Sequence, residues 1–233
     1  MNATLAPPRN ATRALISQML AGLESGRTAT LDGVSWADYT HLLAERDATR
    51  RGVRLNYARG VLSLMTTSFP HERWKIALSA LILCAAEEFD LPAVPAGQLT
   101  ISREDLDRGI EPDDSYYIAN SARVLRTREL DFQTDPPPDL VVEIEYSRTV
   151  ADRLPFHAAL GIPEVWTYDG EALTMLRLDA ARTYQPVSTS VAIPGWPGAE
   201  APRFVQLADG LPIPQVVRQF RTWLREHRVG GTP

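Results

Sequence analysis

A mixed α/β sheet flanked by helices is the fold class this sequence predicts, and three observations predict it. Apolar runs of strand length alternate with segments of helical period. One run, Leu140 to Ile144 in "PPPDLVVEIEYS", is apolar on both faces, as a strand in a sheet covered on both sides would be. The segments 139–145, 152–160 and 163–169 follow in the order strand, helix, strand. That is the order of a crossover unit, which is normally right-handed.

In chain order, residues 11–24 read as a first amphipathic helix. "VSWADYTHLLAERDA" reads as a second, with Ser35 as its N-cap and Tyr39, Leu42 and Leu43 on its apolar face. "GVRLNYARGVLSLM" predicts a hairpin, with strands at 53–57 and 61–65 and a turn at 58–60. His71 to Phe89 carries Trp74, Ala77, Leu78, Leu81, Ile82 and Ala85 at helical spacing. Strands are expected near 98–102 and 114–119, a polar loop over 120–136, and the opening strand at 139–145. A short helix near 152–160 ends at Gly161, a helix C-terminal stop. Strands at 163–169 and 172–178 would be joined by a two-residue turn at Asp169–Gly170. Residues 194–202 read as a loop and 212–227 as a final helix.

The 233-residue length fits one medium domain, or a core with appendages. No run of about 18 apolar residues suggests a membrane span, and the N-terminus lacks the order of a signal peptide. A cytoplasmic protein is the expectation. Cys84 is the single cysteine, which excludes an intrachain disulfide and a cysteine zinc site. The net charge of −5 counts modestly against nucleic-acid binding, although a local basic groove or a bound metal can override it. Lys75 is the single lysine; every other basic side chain of that class is arginine.

The acids at strand ends carry the chemical argument. Glu143 sits inside an apolar strand, and Glu145, two residues on, shares its face. An ionised carboxylate is costly to bury unless it is paired, protonated or bound to metal. Asp113 and Asp114, in "GIEPDD", open a neighbouring strand. Strands lie about 5 Å apart, so Asp113 and Glu143 could share one divalent ion. Oxygen ligands of this kind suit Mg²⁺ or Mn²⁺. The alternative is that Asp113 and Asp139 are turn residues after proline and that Glu143 pairs with an arginine.

"RGIEPDDSYYI", "DPPPDLVVEIE" and "DRLPFHAALGIPEVWTYDG" together resemble a bacterial family of restriction-endonuclease-like proteins of largely unknown function. That family is placed in the PD-(D/E)XK nuclease superfamily. The resemblance extends to "VSWADYTHLL", "GVRLNYARGVLSLM" and "HERWK", and so covers about residues 33–178. It implies a restriction-endonuclease-like core over 48–180 in a single domain, 1–233. An N-terminal helical appendage (1–47) and a C-terminal loop and helix (181–233) would flank that core. It implies that Asp113 and Glu143 hold the metal, with the Ile144 carbonyl as a backbone ligand. Glu72 would complete the shell, and His71 belongs to the same motif. The superfamily's lysine would stand at Glu145; in similar relatives a lysine comes instead from the next helix, at the position of Arg153.

An arginine can clamp a phosphate but cannot accept a proton. Lys75, three residues after Glu72 and four after His71, shares their helix face and offers a second cation. It would either reach the phosphate or simply pair with Glu72. His157 reads as a structural histidine, and His41 and His227 have no partners at ligand spacing. The expected function is a metal-dependent endonuclease that cleaves DNA, or RNA, by metal-activated water. One rival is a catalytically weakened nuclease-fold module that binds nucleic acid or a protein without cleavage. A second is a non-nuclease hydrolase or regulatory protein using the same pocket. A homodimer is a further expectation, as is the absence of a membrane partner.

Overall fold

A computed structural model describes residues 23–49, 52–144 and 153–227. Of the helix expected at 11–24, residues 11–22 lie outside the described residues, and Leu23 and Glu24 are not helical. Glu145 also lies outside.

The chain forms two compact units, one of residues 1–68 with 100–111, the other of 69–99 with 112–233. The core range 48–180 is therefore distributed over both. The first unit is an antiparallel sheet of β1 (Thr28–Asp32), β2 (Val53–Ala58), β3 (Val61–Thr66), β5 (Ile101–Arg103) and β6 (Arg108–Ile110), in the order β1-β3-β2-β6-β5. Its helix α1 spans Trp36–Thr49. Ser35 caps that helix as expected: its Oγ accepts from the Asp38 amide and donates to the Asp38 carboxylate. Tyr39, Leu42, Leu55, Tyr57, Leu62 and Leu64 form the apolar core. Beneath it Glu111 is buried, and it accepts from Arg46, the Leu55 amide and Thr100.

The second unit holds a six-stranded mixed sheet. Its strands are β4 (Val94–Pro95), β7 (Asp114–Tyr117), β8 (Leu140–Ile144), β9 (Glu164–Tyr168), β10 (Leu173–Leu178) and β11 (Tyr184–Val187), in the order β11-β10-β9-β8-β7-β4. Strands β8 and β9 are parallel and joined through α4 (Leu154–Leu160), the crossover the sequence order implies. Gly161 ends α4 at φ 75°, a conformation that suits a residue without Cβ. Helix α2 (Phe69–Glu88) buries Ala77, Leu78, Leu81, Ile82, Cys84 and Ala85. Between α2 and α4 lies α3 (Ser121–Val124); α5 (Ala201–Leu207) and α6 (Ile213–His227) follow the sheet. Val142, Trp166, Trp196 and Phe220 join the α2 face in one apolar cluster. No helix among the described residues is long and apolar enough to cross a membrane.

Some local expectations need correction. The β9–β10 turn lies one residue later than expected: the Asp169 amide donates to the Ala172 carbonyl, leaving Gly170 and Glu171 as the two-residue link. Asp169 sets this turn by accepting from the amides of Glu171 and Ala172. The strand expected at 98–102 is only Ile101–Arg103, and the loop expected at 194–202 gives way to α5 at Ala201. Asp139 is a strand-entry pin: it accepts from the amides of Ile118 and Asn120 and from the Asn120 side chain.

Candidate functional site

The site is built where β7 begins and β8 ends. These strands are antiparallel, with Asp114 opposite Val142, Ser115 opposite Val141 and Tyr116 opposite Leu140. Continuing that register by one residue sets Asp113 opposite Glu143. Both side chains are buried. Asp114, beside Asp113, takes no part: its oxygens hold the Ser115 amide and the Tyr116 hydroxyl.

Each acid is tied down differently. The Ile144 amide donates to Asp113 Oδ2 at 2.6 Å. Asp113 Oδ1 lies 3.1 Å from His71 Nε2, at the start of α2. The other ring nitrogen of His71 lies 3.4 Å from Glu72 Oε1, and Lys75 Nζ lies 2.5 Å from Glu72 Oε2. A line of alternating acid and base thus runs from Lys75 to Asp113. Lys75 is engaged in the ion pair with Glu72, the plainer of its two expected roles.

Glu143 is met from α4. Arg153, the residue before that helix, places Nη1 2.5 Å from Glu143 Oε2. His157 places Nε2 2.8 Å from Glu143 Oε1. Glu143 and His157 are fully buried and Arg153 nearly so, so water screens little of this attraction. Both carboxylate oxygens are engaged, which meets the burial cost.

His157 reads from the sequence as structural rather than catalytic, and it lies fully buried against Glu143. A signal was present: it follows Arg153 by four residues, so a helix carrying Arg153 over the site carries His157 on the same face. Among the described residues no three His, Cys, Asp or Glu side chains are grouped so as to hold a metal ion. Glu72 stands by His71, and Glu145 lies outside the described residues. The donor chemistry of Asp113 and Glu143 still fits Mg²⁺ or Mn²⁺. Mg²⁺ is usually bound through one or two carboxylates, with waters and substrate phosphates completing its shell. Each carboxylate oxygen also carries a further lone pair.

A family model described as "Uma2: Putative restriction endonuclease" matches residues 36–212. No curated protein matches the chain. A crystal structure described as "a putative nuclease belonging to DUF820 from Anabaena variabilis" matches with 16% identity and a TM-score of 0.45. The match covers 71% of this chain and 90% of that one.

Proposed function

From the premise that the chain belongs to the Uma2 family, described as "Putative restriction endonuclease", we propose that it is a Mg²⁺- or Mn²⁺-dependent endonuclease hydrolysing DNA phosphodiester bonds. The observation that carries this reading is the placement of two buried acids, Asp113 and Glu143, at facing positions of neighbouring strands. When bound, the ion would supply charge against the phosphate and lower the pKa of a water.

The chain's own residues would prepare that chemistry. Asp113 and Glu143 would hold the ion, with the Ile144 carbonyl beside them. The Ile144 amide fixes one oxygen of Asp113, His71 Nε2 lies 3.1 Å from the other, and His157 Nε2 lies 2.8 Å from one oxygen of Glu143. Arg153 would present its planar fork to a phosphate. It would not act as a base, since guanidinium stays protonated. Glu72, with Lys75 on it, would border the ion's waters. DNA is the proposed polymer, with RNA the substrate to compare. A homodimer would let two such sites cut two strands.

Supercoiled-plasmid nicking in Mn²⁺ tests the reading, with a structured RNA run in parallel. The expected result is cleavage by the wild type, lost on chelation and in Asp113→Asn. Cleavage undiminished in Asp113→Asn overturns it. One observation favours a second reading, a module that binds nucleic acid without cutting. Both Glu143 oxygens are already engaged, by Arg153 and His157. That module would bind DNA equally well in chelator and in Mn²⁺, with no nicking.

A further inference from the structure

We propose that Arg153 couples the metal to the substrate: it is held on Glu143 until a phosphodiester takes it, so cation and phosphodiester bind with positive cooperativity. This rests on the reading of Glu143 as a metal ligand, and it adds how the site is regulated.

The argument begins with the charges. Asp113, Glu143 and Arg153 are all buried, and Glu72 and Lys75 cancel each other. Among the described residues of this group, with the histidines counted as neutral and Asp114 set aside on its own bonds to Ser115 and Tyr116, one net negative charge remains. A dication alone would leave one net positive charge in a poorly screened place, with the Arg153 guanidinium on the ligand it needs. A phosphodiester anion restores neutrality. Neither charged ligand is balanced by these described residues alone, and together they are.

Geometry gives the exchange a route. Arg153 holds one oxygen of Glu143, while His157 holds the other from one turn further along α4. Arg153 can therefore leave while His157 keeps the carboxylate oriented. A guanidinium suits the exchange because carboxylate and phosphate oxygens both accept its charge-assisted N–H bonds, and a phosphate can take two of them at once. Arg153 also precedes the first turn of α4, so a change of side-chain rotamer moves the fork without disturbing the helix. Coupling between two ligands is reciprocal, so the diester must bind more tightly with Mn²⁺ by the same factor.

The test is calorimetric titration of the full chain with Mn²⁺, with and without dimethyl phosphate, corrected by a blank titration of Mn²⁺ into the diester. The wild type should bind Mn²⁺ about tenfold more tightly with the diester, within the usual range of such couplings. Arg153→Gln should bind Mn²⁺ more tightly than wild type without the diester and gain nothing from adding it. The wild-type comparison stands even if that variant fails to fold, as its melting curve would show. Equal wild-type affinity under both conditions, with Glu143→Gln abolishing Mn²⁺ binding, overturns the coupling and leaves the metal site standing. No Mn²⁺ uptake by the wild type under either condition overturns both.

Discussion

The Ile144 amide donates to Asp113 Oδ2 at 2.6 Å, and this bond joins the acid before β7 to the residue after Glu143. Main-chain geometry, rather than two long side chains, therefore sets where Asp113 lies relative to Glu143. Asp113→Asn retains an oxygen that can accept from Ile144 but loses the charge. The variant should melt within a few degrees of wild type. Its Mn²⁺ affinity should fall by about 100-fold or more, at or beyond the usual effect of removing a group that merely supports a metal ligand. Calorimetry and a melting curve on one preparation check both halves.

Removing Glu143 should cost stability as well as function. Arg153 would be left buried beside a void, and breaking a buried ion pair by deleting one member typically costs about 3–5 kcal/mol. Glu143→Ala is expected in that range by urea denaturation. A loss under about 1 kcal/mol would mean that Arg153 swings to solvent, on the scale of an exposed pair.

The expectations that held and those that failed divide along physical lines. The α2 helix was legible because its apolar residues recur at helical spacing over many turns. The β8–α4–β9 crossover was legible because an apolar run, a glycine stop and a second run occur in order. The elements missed are short and mostly lie at sheet edges: β1, the two-residue β4, the three-residue β6 and β11 with Pro186 inside it. Edge strands need no continuous apolar pattern, and proline is tolerated there. Asp113 and Glu143 were legible as acids where burial makes acids expensive. Their partners were less so, because pairing with His71 or His157 depends on how helices lie across the sheet.

Glu111 separates stability from the site. It is buried in the first unit and holds Arg46, the Leu55 amide and Thr100. Glu111→Ala would strand the buried Leu55 amide, at about 1–3 kcal/mol, and would take one partner from the half-buried Thr100 and from Arg46, which keeps Val53 and Asp47. The variant should lose about 1–3 kcal/mol in urea denaturation, the cost of that one buried unsatisfied amide. Once folded, it should bind Mn²⁺ like the wild type, because none of its bonds reaches Asp113 or Glu143.

Alkaline pH should unfold the second unit through Tyr116. Burial, then the neighbouring Asp114, pushes its hydroxyl well above the ordinary tyrosine value of about 10. A raised folded-state pKa means the contribution is fully present below pH about 10 and is lost as pH rises toward the folded value. Stability should therefore fall above pH about 10, and Tyr116→Phe should flatten that fall. Urea midpoints of both proteins across this range check it; parallel curves would contradict it.

The central claim is that Asp113 and Glu143 form a divalent-metal site. A crystal structure with Mn²⁺ and anomalous scattering at the manganese edge tests it most directly. The account predicts one anomalous peak bonded to Asp113 and Glu143 at oxygen-ligand distances. Well-ordered Asp113 and Glu143 with manganese bound elsewhere, or nowhere, would contradict it.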